Sequence, residues 1–249
     1  MIEKEKKKEI FWTENGEPKI KHVGLLKFLE DIGYVKVKIG ENHYVFAKMV
    51  NNRLSQATEG QMANDVKDYL NLKKKPEVLE VFVKGVGSYI TSKKLDMLPE
   101  IENINDRDDM KSSRFYFKNC FCEINKDSIS HCDYSILENP IWESRIIKKS
   151  FTHPTEGGQF EKFCGNITGQ NQERLLALKT ILGYLLHRNK EVGEPRAIIL
   201  YDENMTQNNQ AHGGTGKTLL SMALKECRDV AIFDAKEMKE GSWFKNQRV

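Results

Sequence analysis

The stretch Gly213-Gly214-Thr215-Gly216-Lys217-Thr218 decides the fold class, because it has the composition of a phosphate-binding loop. Three glycines let the backbone turn its N–H groups toward an anion without side chains in the way. The lysine that follows supplies a positive charge, and a threonine hydroxyl is a suitable ligand for Mg²⁺. The pattern therefore predicts a site for the triphosphate of ATP, with Mg²⁺ as the second cofactor.

The predicted cofactor contacts come from consecutive residues at the start of a helix. Backbone amides bind phosphate oxygens, Lys217 reaches the β- and γ-phosphates, and the Thr218 hydroxyl binds Mg²⁺. The full set of predicted contacts is Gly213, Gly214, Thr215, Gly216, Lys217, Thr218 and Leu219. The match to the consensus G-x-x-x-x-G-K-[ST] is incomplete, because Ala211 stands at the position of its first glycine. A glycine-rich turn followed by Lys-Thr by chance is the alternative interpretation.

The sequence around this loop has the order strand, loop, helix, strand that a P-loop requires. Residues 197–201 and 230–233 are apolar throughout, as strands buried on both faces of a parallel sheet are. Between them, a polar loop is predicted at 202–212 and a helix at 217–227. A longer helix with an apolar stripe is predicted at 172–188. The strand-helix-strand crossover is expected to be right-handed.

The residues before this region follow a different pattern, in which apolar and polar residues alternate along short strands. A hairpin over 34–50 and a strand over 115–124 indicate one-sided antiparallel sheets. Helices are predicted at 24–31 and 62–70, with two short ones around Gly85 and Gly87. The fold class expected is an α+β N-terminal region followed by an incomplete α/β P-loop NTPase domain with a parallel sheet. The predicted division is an α+β domain at 1–152, a linker and helical segment at 153–194, and the NTPase part at 195–249.

Composition argues against a membrane span and a signal peptide. No apolar run approaches the ~20 residues that a membrane-spanning helix needs, and no apolar core follows the charged N-terminus. The net charge of +3 is compatible with nucleic acid without arguing for it. A reducing cytoplasm is expected, with the cysteines as free thiols. A zinc site at Cys120, Cys122, His131 and Cys132 is disfavoured by their spacing.

Hydrolysis of ATP also needs an acidic side chain that holds Mg²⁺ and elements that orient water. Asp202 and Glu203 precede the loop, and Asp234 follows the second apolar run. A solvated loop is the preferred interpretation for the first two, and a turn or N-cap for Asp234. The chain is therefore expected to be a fragment whose catalytic elements lie beyond Val249, and whether it is itself an enzyme is left open.

The sequence resembles phage and plasmid primase-helicase proteins related to the poxvirus-type superfamily 3 helicases. The resemblance rests on 182–187, 197–203 and 213–218, with less specific similarity upstream at 11–12, 114–119 and 141–142. It implies a ring-forming, ATP-driven DNA helicase in the replication of a virus or mobile element. Lys217 and Thr218 would take the Walker A roles. It also implies single-stranded DNA as a partner, a hexameric ring of the parent protein, and the cytoplasm of a bacterial host.

Two other functions stay open. One is a different P-loop NTPase, such as a small-molecule kinase, although a kinase would carry its loop near the start of a compact domain. The other is a non-catalytic fragment that binds DNA or a replication partner. Aromatic residues at 114–118 are interpreted as core rather than as base-stacking residues, and the lysines at 73–75 as a solvated helix end. Asp106 and Asp108 have the spacing of a carboxylate pair but lie in a predicted loop, so priming is not predicted.

Overall fold

The computed structural model describes residues 10–13, 15–41, 43–102, 104, 107–153, 157–189, 193, 196–201 and 214–233. The chain divides into two compact units. The first comprises residues up to 106 together with 133–145, and the second comprises 107–132 and the residues from 146 onward. The predicted boundaries at 153 and 195 both fall within the second unit and stay a prediction.

The described helices and strands are, in chain order, α1 (His22–Asp31), β1 (Tyr34–Gly40), β2 (His43–Val50), β3 (Arg53–Gln56), α2 (Glu59–Leu72), α3 (Pro76–Tyr89), α4 (Ser92–Leu95), β4 (Glu100–Ile101), β5 (Ser112–Tyr116), β6 (Phe121–Asn125), β7 (Ile129–Cys132), β8 (Ile141–Trp142), α5 (Gln159–Ile167), α6 (Gln172–Leu186) and α7 (Lys217–Ala223). Short 3₁₀ turns lie at Tyr134–Ile136, Glu143–Arg145 and Leu224–Glu226. None of the described helices is both long and apolar enough to cross a bilayer.

The first unit is built on a five-stranded sheet of order β4-β1-β2-β3-β8. Strands β1, β2 and β3 are antiparallel, and the short edge strands β4 and β8 run parallel to their neighbours. The hairpin predicted over 34–50 is confirmed as β1 and β2. Its entry requires a glycine, because Gly33 has φ +97° and an added Cβ would lie 2.3 Å from the Met49 carbonyl oxygen.

Helices α1, α2 and α3 contribute to the main core of this unit. The α1 and α2 helices confirm the predictions at 24–31 and 62–70, and Thr58 and Gln61 form a capping box at the start of α2. Two helices are predicted between residues 76 and 97, and the structure has two there, α3 and α4. The predicted break at Gly85 and Gly87 is wrong, because both glycines lie inside α3. A glycine in a helix costs about 1 kcal/mol, which the burial of Val78 and Phe82 offsets.

The second unit contains the antiparallel sheet β5-β6-β7 and helices α5, α6 and α7. The helix predicted at 172–188 is confirmed as α6, and the one at 217–227 as α7 and the 3₁₀ turn after it. The single strand predicted over 115–124 is wrong, because the chain turns between β5 and β6. The Phe117 N–H donates to the Cys120 carbonyl oxygen at 2.8 Å and closes this turn.

The two predicted parallel strands are not formed within the described part of the chain. Residues 197–201 and 230–233 have no strand partner there, and the side chains of Ile199 and Tyr201 are 81% and 76% exposed. An apolar run favours a strand only where a neighbouring strand completes its hydrogen bonds. The two strands are corrected to irregular backbone, whereas the parallel sheet of a P-loop domain stays a prediction.

Candidate nucleotide-binding site

The backbone of the predicted phosphate loop has the conformation of a tight turn into a helix. Gly214 has φ +91° and Gly216 has φ +87°, both in the left-handed region that glycine adopts without strain. Helix α7 begins at Lys217, directly after the second of these glycines. The first N–H groups of any helix have no acceptor within that helix, and those of α7 directly follow the loop amides along the chain.

Five residues of the sequence hypothesis lie outside the described residues. They are Gly213 of the predicted site, Ala211 at the departure from the consensus, and the acidic candidates Asp202, Glu203 and Asp234.

Gly216 is fixed by its packing as well as by its backbone conformation. An added Cβ would lie 2.9 Å from Phe163 Cζ and 3.5 Å from Ile167 Cγ2, which are both side chains of α5. A contact under 3 Å forces a neighbouring atom to move. A side chain at this position would force the end of the Phe163 ring to shift, and the positive φ favours glycine here independently of any ligand.

The side chains of α7 divide between a buried and an exposed side. Leu220 is 5% exposed and packs with Cys164 and Leu182 in the small core of the helices. Thr218 and Leu219 are exposed, and Lys217 is half-buried. The Lys217 ammonium donates to Thr215 Oγ1 at 2.8 Å and so lies over the loop. The lysine and threonine predicted to contact phosphate and Mg²⁺ are thus on the accessible side of the helix start.

A buried arginine holds the chain just after α7. The Arg228 guanidinium donates to the carbonyl oxygens of Leu186 and Arg114 at 2.9 and 2.8 Å, and to Ser113 Oγ at 3.0 Å. It also lies 3.8 Å from the centroid of the Phe115 ring, within the range of a cation–π contact. Burial lowers the pKa of this arginine, while the charge of a nearby aspartate acts to raise it. Arg228 therefore ties the end of α7 to β5 and to the end of α6.

The aspartate is Asp108, whose side chain is 1% exposed. Its Oδ2 accepts from Ser113 Oγ at 2.5 Å and from the Arg188 N–H at 2.8 Å, and Oδ1 accepts from the Arg114 N–H at 2.9 Å. Arg228 Nη2 lies 3.4 Å from Oδ2. Both carboxylate oxygens are thereby satisfied, so Asp108 has a structural position. We call Asp108, Ser113 and Arg228 the Arg228 anchor.

Two cysteines at the start of β6 are buried, whereas Cys132 at the end of β7 is half-buried. Cys120 and Cys122 are buried, and burial together with the neighbouring Cys120 raises the pKa of Cys122 to about 11. A metal-binding cysteine is a thiolate, which this environment disfavours. Among the described residues, no group of three or more His, Cys, Asp or Glu side chains is placed to hold a metal ion.

A polar cavity of about 150 Å³ lies in the first unit, apart from the predicted site residues. The Tyr34 hydroxyl donates to Asp65 Oδ2 at 2.8 Å, and the Lys48 ammonium donates to the same oxygen at 2.5 Å. Burial and the Asp65 carboxylate raise the pKa of Tyr34. Because these three groups satisfy one another, the cavity is explained by the packing of α2 on the sheet.

The sequence hypothesis and the structure agree on the start of α7, while the residues that anchor its end were not predicted. Arg228 belongs to no sequence motif, and Asp108 was considered only as part of a carboxylate pair with Asp106. A scan against models of known protein families found no match to the chain, and a search of curated proteins found no match either.

Proposed function

We propose that residues 213–219 bind the triphosphate of ATP, with Thr218 as a ligand of Mg²⁺. The observation that carries the proposal is the pair of left-handed glycines, Gly214 and Gly216, directly before a helix whose first residue is a lysine. Loop amides that lead directly into the N–H groups of a helix start are the arrangement that forms anion-binding concavities in proteins. Bound Mg²⁺ would neutralise part of the charge on the phosphates.

Lys217 supplies the cation of the site. Its ammonium already lies over the loop, bonded to Thr215 Oγ1. A rotation of this flexible side chain exchanges the hydroxyl for a phosphate oxygen, which is a stronger, charge-assisted acceptor. The buried contact of Leu220 holds α7 in place while the lysine moves.

We also propose, from the resemblance, that the chain is the N-terminal part and Walker A portion of a superfamily 3-like replicative DNA helicase. Such a protein acts on single-stranded DNA as a hexameric ring in the cytoplasm of a bacterial host. A different P-loop NTPase or kinase, and a non-catalytic fragment that binds DNA or a partner, are the alternatives. The phosphate-binding loop is common to the helicase and the other NTPases, so its test comes first.

Calorimetric titration with Mg-ATP tests the phosphate-binding loop. The unmodified chain is expected to bind weakly, and Lys217→Ala is expected to abolish binding because it removes the cation. Lys225→Ala is the matched control, because it removes an exposed lysine from the 3₁₀ turn that follows the same helix. Equal affinities for the unmodified chain and Lys217→Ala would refute the assignment.

A further inference from the structure

Four aromatic rings of the second unit form a contiguous cluster, which we call the aromatic strip: Phe117, His131, Phe151 and His153. The Phe151 ring centroid lies 5.3 Å from Phe117, 6.2 Å from His131 and 5.0 Å from His153, and the two histidines are 5.0 Å apart. Both histidines are exposed and both phenylalanines are half-buried, so Phe117 is not the fully buried core residue that the sequence pattern indicated. The strip therefore presents ring surface to solvent in the folded protein.

The strip is held in place by hydrogen bonds between separate segments. The Asn119 side chain accepts from the Phe151 N–H at 2.8 Å and donates to the Phe151 carbonyl oxygen at 3.1 Å. The Lys118 N–H donates to the Lys149 carbonyl oxygen at 3.1 Å. These bonds join the turn after β5 to residues 146–153. Because the rings are already ordered, a ligand that stacks on them loses little affinity to ordering of the protein.

Two of the three segments that carry the rings, 117–119 and 146–153, contain lysines and no aspartate or glutamate, whereas Asp133 lies two residues after His131 in the third. Lys118, Lys148 and Lys149 are exposed. Glu226 pairs with Lys149. Exposed rings beside several lysines match a ligand that has flat aromatic groups along a chain of negative charges. An unpaired nucleic acid strand has both features, whereas a duplex hides the faces of its bases.

We propose that the aromatic strip, with the exposed Lys148 beside it, binds single-stranded nucleic acid. Bases stack on the strip, and Lys148 contacts a phosphate. The proposal shares its ligand class with the proposed helicase function, but the site uses none of residues 213–219, so its test is independent of the nucleotide site. None of the proposed contacts is made to the sugar, and DNA and RNA strands are therefore expected to bind with similar affinity.

Fluorescence anisotropy with a labelled oligothymidine of about 12 nucleotides tests the proposal. Phe151→Leu keeps an apolar side chain but loses the ring, and His153→Ala removes an exposed ring. Each is expected to weaken binding by about fivefold or more, which corresponds to the loss of one stacked base. Phe160→Leu is the matched control, because Phe160 is an exposed aromatic residue of the same unit that lies outside the strip. Its affinity is expected to equal that of the unmodified chain.

The salt dependence tests the phosphate contacts separately. Lys148→Gln is expected to lower the slope of log Kd against log salt by about 0.7, the value for one phosphate contact on a single strand. Oligouridine is expected to bind as oligothymidine does. The proposal is overturned if the oligothymidine does not bind, if a duplex of equal length binds as tightly, or if binding requires the 2′-hydroxyl. It is equally overturned if Phe151→Leu and His153→Ala behave like Phe160→Leu, or if Lys148→Gln leaves the slope unchanged.

Discussion

Replacing Arg228 by methionine tests how the helix of the candidate site is held in the second unit. The methionine keeps much of the aliphatic length of the side chain but removes the guanidinium and its four hydrogen-bonding contacts. It also leaves the Asp108 carboxylate, whose side chain is 1% exposed, without its cation. The variant therefore leaves a buried carboxylate without the guanidinium that lies beside it in the unmodified protein.

The cost of Arg228→Met follows from this burial. Removing one partner of a buried ion pair costs about 3–5 kcal/mol, and the Arg228 side chain is 14% exposed, which favours the lower end. We expect a loss of about 3 kcal/mol in the free energy of unfolding of the second unit.

Urea unfolding followed by far-UV circular dichroism measures these differences. Lys149→Met is the control, because its ion pair with Glu226 is exposed at both ends and its loss is expected to change stability little. The reasoning is refuted if Arg228→Met costs less than about 1 kcal/mol, which is the range of exposed ion pairs.

Three further predictions concern a glycine, a thiol and turnover. Gly33→Ala is expected to lower the melting temperature more than Gly16→Ala. Both glycines have positive φ, but only at Gly33 would an added Cβ contact backbone atoms, those of the Met49 carbonyl. Equal shifts in melting temperature would contradict this. At pH 8, Cys122 is expected to react with iodoacetamide more slowly than free cysteine does, since its pKa of about 11 leaves little thiolate. Peptide mass spectrometry measures the rate, and a rate equal to that of free cysteine would argue against the burial of Cys122. The isolated chain is expected to hydrolyse ATP barely above background, as measured by phosphate release. The reason is that an arginine finger from a neighbouring subunit contributes about 10³–10⁵ in rate. Robust turnover would contradict the proposed helicase arrangement.

The elements that the sequence predicted correctly are those that depend on residues close together in the chain. The hairpin of β1 and β2 follows from alternation over a few residues, and α6 follows from apolar spacing that a helix places on one side. The turn into α7 follows from glycine and lysine in the order that phosphate loops use. Glycine misled the prediction of α3, because its small intrinsic penalty inside a helix is overcome by burial of neighbouring side chains.

The remaining features depend on contacts between residues that are far apart in sequence. Arg228 lies 120 positions from Asp108, and no periodicity links the two. The turn between β5 and β6 depends on Asn119, whose amide bonds to Phe151 in a later segment. The apolar runs at 197–201 and 230–233 indicate a preference for burial, but a strand also needs a partner that its own residues do not specify.

The measurement that tests the central claim most directly is a titration of the isotope-labelled chain with Mg-ATP, followed by the backbone amide resonances in NMR spectra. The amides of Gly214, Thr215, Gly216 and Lys217 are predicted to shift most, because they are the donors proposed to bind phosphate oxygens. The amides of β1, β2 and β3 in the first unit are predicted to stay unchanged. An ATP-dependent shift confined to other residues, or no shift at saturating Mg-ATP, would contradict the phosphate-binding loop.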